Sequence, residues 1–227
     1  MRPFSPNRGG GLARNALSLV APPRCAICAA ACASADAVCA RCARELRAAR
    51  PGFAPLRDQT PLVWATTYER TPRALVSALK FAGRLALADL AAESIARALE
   101  SSAAVNLSSA RDAPASPAAV VPVPASPLRR RLRGFDPAEL IATRLAARLG
   151  LPLSTSLART HHRRQTGRSR ADRLADPPRI RVRDPVPARG LLVDDVLTTG
   201  ATLTACARAL RAAGSDDIEA AVFARSP

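Results

Sequence analysis

A chain of 227 residues has room for one full domain and a small appendage. Apolar residues make up 48% of it but aromatics only 3%, so the core must be built from Ala, Leu and Val; no apolar run reaches the length that spans a bilayer. A net charge of +16 favours polyanionic partners, pyrophosphate or nucleic acid, although in so Arg-rich a chain, with Lys80 its only lysine, a single arginine carries little information.

Residues 1–14, with Gly9-Gly10-Gly11, read as a flexible tail. Leu17 to Ala21 is too short and too poorly followed, by Pro22-Pro23, to be a leader, and reads as a short helix. Next come Cys25-Ala-Ile-Cys28 and, after a gap of ten residues, Cys39-Ala-Arg-Cys42. Two such hooks present four thiolates in the pattern of a tetrahedral, structural zinc site, with no open position for chemistry. Disulfides are the alternative, but nothing marks the chain as secreted, and a cytoplasmic location is expected. Cys32 is a fifth thiol that either replaces a ligand or packs, and Cys206 reads as a small core residue. Residues 1–50 are thus a tail and zinc module, and 51–227 the main domain.

Residues 43–60, with Pro51 and Pro55, read as a hinge. Leu62–Tyr68 is strand-like, and Thr71-Pro72 reads as an N-cap and first-turn proline for a helix with Leu75, Val76 and Leu79 on its face. Gly83 ends it, and a second helix runs from about Leu85 to Leu99. Lys80 near the first helix's end reads as an exposed cation favoured by the dipole. Ser101 to Ala118 is a linker. The apolar Ala119–Pro124 segment then forms a strand closed by a rigid proline turn. An arginine cluster follows, and Asp136-Pro137-Ala-Glu139 starts a capped helix faced by Ile141, Leu145 and Leu149. Between Arg129 and Arg173 twelve arginines face only Asp136, Glu139 and Asp172. Residues 151–188, which include the adjacent His161 and His162, form a mobile, Arg-rich hood; the two histidines cannot share a helix face and make a poor metal or base pair.

The chemistry concentrates in Leu191-Leu-Val-Asp194-Asp195-Val-Leu-Thr198-Thr199-Gly200-Ala-Thr202. A short apolar run leads to two carboxylates, a hydroxyl- and glycine-rich turn follows, and a helix begins with Leu203, Ala207 and Leu210 on one face. Unpaired N–H groups and a helix dipole favour a phosphate at the turn. Asp194 and Asp195 are placed to accept hydrogen bonds from sugar hydroxyls, or to hold Mg²⁺ through water. A ribose 5-phosphate satisfies both ends. Ile218 to Phe223 reads as the last strand.

This stretch resembles the phosphoribosyl pyrophosphate (PRPP) motif of type I phosphoribosyltransferases. From about Leu17 to Phe223 the order of motifs resembles the ComF family. Those motifs are the cysteine hooks, Lys80 with Gly83-Arg84, Val121-Pro122-Val123-Pro124, Arg133-Gly134-Phe135, the Gln165–Arg173 stretch and the acidic motif. The resemblance implies an α/β fold of the type I phosphoribosyltransferase class, a mostly parallel sheet flanked by helices, with the small four-cysteine zinc module at its N-terminus. It implies PRPP bound with Mg²⁺ by Val123, Pro124, Ala125, Asp194, Asp195, Val196, Leu197, Thr198, Thr199, Gly200, Ala201 and Thr202. It also implies transfer of the phosphoribosyl group to an acceptor, a nucleobase or amine, with Asp194, Asp195 and Arg133 as the catalytic set. Binding of PRPP or a nucleotide without turnover is a second expectation. A third is an accessory role in DNA uptake, with single-stranded DNA or DNA-uptake proteins on the basic face. The chain departs from the family's usual Asn-Gln at Asp136-Pro137, and from Asn at Asp176, changes expected to touch acceptor-side or hood contacts.

Overall fold

The computed structural model describes residues 24–32, 38–102, 118–160, 178–183 and 185–227. The N-terminal tail, the helix expected at Leu17–Ala21, most of the Ser101–Ala118 linker and the hood stretch holding His161, His162, Gln165, Arg170, Arg173 and Asp176 lie outside them. In chain order the elements are α1 (Ala40–Ala48), β1 (Gly52–Phe53), β2 (Leu62–Thr67), α2 (Arg70–Phe81), α3 (Leu87–Glu100) and β3 (Ala118–Pro122). There follow α4 (Pro127–Arg133), α5 (Pro137–Leu149), β4 (Leu157–Arg159), β5 (Ile180–Val182), β6 (Arg189–Leu197), α6 (Ala201–Ala212) and β7 (Asp217–Arg225).

Five strands form one sheet in the order β1-β2-β7-β6-β3, parallel throughout except for the short antiparallel edge β1. β3 is buried along its whole length, as are the middle seven residues of β7, because helices or loops cover both faces. On one face α2, α3 and α5 enclose Leu75, Leu79, Ile95, Ile141, Leu145 and Phe223. Ala88, Ala91 and Ala92 of α3 and Ala138, Ala142 and Ala146 of α5 are buried, and small side chains let the two helices approach closely. On the other face α6 lays Leu203, Cys206, Ala207 and Leu210 against Leu192, Ala220 and Val222, and the β4–β5 hairpin adds Leu157 and Ile180. Cys206 is fully buried, as a small core residue should be.

The expected fold class is therefore present, with local differences. Residues 43–48 continue α1 rather than forming a hinge, and β1 pairs with β2. Helix α2 starts at Arg70 after Glu69, so Thr71 is not its cap. Its buried hydroxyl instead donates to Oε2 of Glu45 on α1, a stronger partner than a free amide because it is charged. Leu46 of α1 sits in the same apolar cluster as α2 and α3, with Ala26, Ile27 and Val38 packed against it. The cysteine segment is thereby tied to the domain core.

Candidate ligand site and metal centre

All four parallel strands end at one edge of the sheet, and the acidic pair lies near that edge. Strand β6 runs on through Asp194 and Asp195 to Leu197, so Val196 and the buried Leu197 are strand residues rather than part of the turn. Adjacent positions in a strand point to opposite faces, which separates the two carboxylates. Asp195 faces α2, where the Nζ of Lys80 donates to Oδ1 at 2.8 Å and stands 2.7 Å from Oδ2. The sole lysine is thus no free helix-end cation: its side chain is 21% exposed and that of Asp195 10%. Sequence reading could single out Lys80 by its rarity but not its partner 115 residues away.

Asp194 lies on the α6 side, and its Oδ1 accepts the Asp195 backbone N–H at 2.8 Å. Burial, and then the neighbouring Asp195 charge, push its carboxyl far above the ordinary range, against the pull of Lys80. Arg159, at the end of β4, stands within electrostatic reach of Asp194 and of Arg129; burial and the Arg129 charge push its guanidinium down. Nothing in the local sequence distinguishes Arg159 from the other arginines of the hood, so sequence alone does not single it out.

The Val123–Ala125 turn follows β3 directly, beside β6. Its backbone donors are all engaged or absent: Val123 N–H donates to Val193 O at 2.9 Å, Pro124 has none, and Ala125 N–H donates to Asp136 Oδ2 at 2.8 Å. Asp136, 7% exposed, also caps α5 by accepting the Ala138 N–H on Oδ1 at 3.1 Å. Burial pushes its carboxyl up although both N–H bonds pull it down, and the Glu139 and Asp195 charges add to the rise. Among the described residues, Asp136 therefore acts on the turn and on the start of α5. Arg133, expected among the catalytic residues, stacks its guanidinium 5.0 Å above the ring of Phe81, the residue after Lys80.

The Thr198–Gly200 turn enters α6 through Gly200 at φ +75°, a conformation that favours glycine, and a Cβ there would stand 3.0 Å from Leu56. Thr198 is exposed, and the Thr199 hydroxyl accepts the Ala201 N–H at 3.4 Å. A cavity of about 240 Å³ opens beside this turn between Leu56, Arg57, Trp64 and Arg225, whose guanidinium stacks 4.4 Å over the indole.

The metal-ligating atoms of Cys25, Cys28, Cys39 and Cys42 all lie within 4.8 Å of one another, and Cys28 Sγ and Cys39 Sγ are 3.6 Å apart. Thiolates at about 2.3 Å from a tetrahedral zinc stand roughly 3.8 Å apart, so the donor set fits that ion. Cys32 falls outside the cluster and points to Ala30 O. Cys39 caps α1 and Cys42 lies in its first turn, where the dipole favours thiolates. Burial works to raise the Cys25 thiol, yet the N–H groups of Cys39, Cys28 and Ile27 outweigh it and bring it to about 6. Burial and the neighbouring thiols push Cys42 up instead. Purified protein is expected to carry one zinc per chain by elemental analysis, with Cys32→Ser retaining it and Cys39→Ser losing it together with several degrees of melting temperature. Full zinc retention by Cys39→Ser would refute the cluster as the ligand set.

The mostly parallel sheet and the acidic strand–turn–helix unit are the arrangement expected of a phosphoribosyltransferase-type fold. In agreement, residues 135–227 match the family described as phosphoribosyl transferase domain. The chain is also similar to competence protein F from Haemophilus influenzae (strain ATCC 51907 / DSM 11121 / KW20 / Rd), with 35% identity over 117 residues, 48% of this chain and 51% of that protein. It thus spans about half the length of the curated relative it matches. Among solved structures, orotate phosphoribosyltransferase from Aeropyrum pernix shows 21% identity and a TM-score of 0.38, over 82% of this chain and 80% of that one. So distant a likeness carries no ligand across. Among the described residues no helix is long and apolar enough to cross a membrane.

Proposed function

We propose that residues 51–227 bind a 5-phosphoribosyl ligand, with the ribose hydroxyls on Asp194 and Asp195 and the 5-phosphate at the Thr198–Thr202 turn. The single observation that carries this is the acidic pair of β6, braced by Lys80, one strand end away from a hydroxyl-rich turn opening α6. On this reading residues 151–188 form the hood over the site, and residues 1–50 carry the structural zinc module.

With PRPP as ligand, the bond from the anomeric carbon to pyrophosphate breaks as an acceptor nucleophile forms its own bond to that carbon. Positive charge develops on the ribose and negative charge on the leaving group, so positioning and electrostatics supply the acceleration. The carboxylate oxygens of Asp194 and Asp195 suit Mg²⁺ through water; bound with PRPP, the ion would neutralise charge on the leaving pyrophosphate. Arg133, stacked on the Phe81 ring, is the candidate cation for that group. A second reading, binding without turnover, is favoured by the engaged amides of the Val123–Ala125 turn. The likeness to competence protein F supports a role in competence, for which the basic residues of α4 are the candidate contact with single-stranded DNA.

Calorimetric titration of ribose 5-phosphate and of PRPP with Mg²⁺ into the zinc-loaded chain tests the site. Saturable binding of at least one ligand is expected, weakened tenfold or more in an Asp194→Asn, Asp195→Asn double variant. Binding that is indifferent to both substitutions would remove ribose from the acidic pair.

A further inference from the structure

A diphosphate on the anomeric carbon needs its own cradle, separate from the one that holds the 5-phosphate. Backbone N–H groups at a strand-end turn are the usual means, since they approach phosphate oxygens closely and carry no side-chain entropy. Val123-Pro124-Ala125 is the turn placed for that task, immediately beside Val193 and the acidic pair. In this chain it offers none of its three positions. The Val123 donor is spent in the β-ladder, Pro124 lacks one, and the Ala125 donor is bound to Asp136.

Asp136 is more than a competitor for one hydrogen bond. It is buried, fixed at both oxygens by backbone N–H groups, and anchored as the first residue before α5, so its carboxylate cannot swing aside without uncapping that helix. A diphosphate reaching for Ala125 N–H would meet a carboxylate already 2.8 Å from that nitrogen. Two anions would then crowd one donor close to Asp195, whose partner Lys80 is already paired. At the Thr198–Thr202 turn the Ala201 N–H is held only by the Thr199 hydroxyl, at 3.4 Å, and among the described residues no carboxylate takes its place.

Given a phosphoribosyl unit held by Asp194 and Asp195, we infer that Asp136 makes this a site for ribose 5-monophosphates without an anomeric diphosphate, in preference to PRPP. Ribose 5-phosphate and nucleoside 5′-monophosphates are the ligand class. Asp136 is then a specificity-determining residue, acting through the conformation and occupancy of the turn.

The experiment compares ribose 5-phosphate with PRPP, both in Mg²⁺ buffer, by calorimetry on the full zinc-loaded chain and on Asp136→Asn and Asp136→Ser. Both replacements keep an N-cap acceptor for α5, and serine is too short to reach Ala125 as well, so a folded variant is available even where one fails. The wild-type chain is expected to bind ribose 5-phosphate at least as tightly as PRPP. Each variant is expected to bind PRPP at least tenfold more tightly than wild type, with ribose 5-phosphate affinity held within about twofold. PRPP binding tenfold tighter than ribose 5-phosphate in the wild-type chain overturns the inference and leaves the phosphoribosyl site standing. An unchanged ratio in both variants does the same. Failure of both ligands to bind any of the three proteins overturns the phosphoribosyl reading itself.

Discussion

Replacing Lys80 with Met is expected to lower the melting temperature by about 6–12 °C. The substitution keeps the apolar stem and removes the one cation bonded to both oxygens of Asp195. Breaking a buried pair from one side costs about 3–5 kcal/mol because the other charge stays behind. Lys80 keeps 21% of its side-chain surface, so the lower end, about 3 kcal/mol, applies. At about 2–4 °C per kcal/mol for a chain of this size, that gives the stated shift. Adding Asp195→Asn to Lys80→Met is expected to restore most of the loss, since no stranded carboxylate remains. A Lys80→Met melting curve within about 2 °C of wild type would show that the pair is not a structural brace.

Asp194→Asn is expected to act in the opposite direction, stabilising the ligand-free protein while weakening ribose binding. The folded-state pKa of Asp194 is raised from the ordinary carboxylate value to about 8, by burial first and by the Asp195 charge second. Below about pH 4 the residue is protonated in both the folded and unfolded chains, and the substitution should change little. As pH rises the unfolded chain releases its proton while the folded chain holds on. The contribution of Asp194 to the stability of the wild-type protein therefore falls as pH rises from about 4 to about 8. Asparagine escapes that penalty and keeps an Oδ1 to accept the Asp195 N–H. Even one pKa unit is worth about 1.4 kcal/mol, so a gain of at least about 3–6 °C is expected at pH 8 in magnesium-free buffer, shrinking to nothing near pH 4. A gain that is flat with pH, or a loss at pH 8, would refute this account of Asp194. On the proposed function, the residue gives up stability in the free protein for the sake of the ligand.

Much of this is legible in the sequence because local rules suffice. The apolar run of β6, the leucine and alanine face of α6 and the spacing of the cysteine hooks each carry a periodicity or a donor set that the chain shows without its fold. The acidic pair can be placed before the turn, though not its extension of β6 to Leu197, since continued pairing with β7 decides where that strand ends. Contacts made across the chain leave no such trace. The Lys80–Asp195 pair joins α2 to β6, and Thr71 reads as a cap until Glu45 of α1 supplies a charged partner. Asp136 is a helix cap by sequence and by structure, but its second oxygen's bond to Ala125 needs the turn after β3 in place. Arg159 gains its place beside Asp194 only through a hairpin whose strands lie some twenty residues apart in the sequence.

Because Lys80 is the only lysine, its ε-amine is the single side-chain amine in the whole chain. Held against both oxygens of Asp195 and largely buried, it is shielded from reagents, so its labelling rate reads how often the pair opens. Any ligand that takes over Asp195 will change that rate, and the protein carries its own reporter of site occupancy. The same fact makes amine coupling to a solid support a poor choice, since the only internal anchor is the site itself.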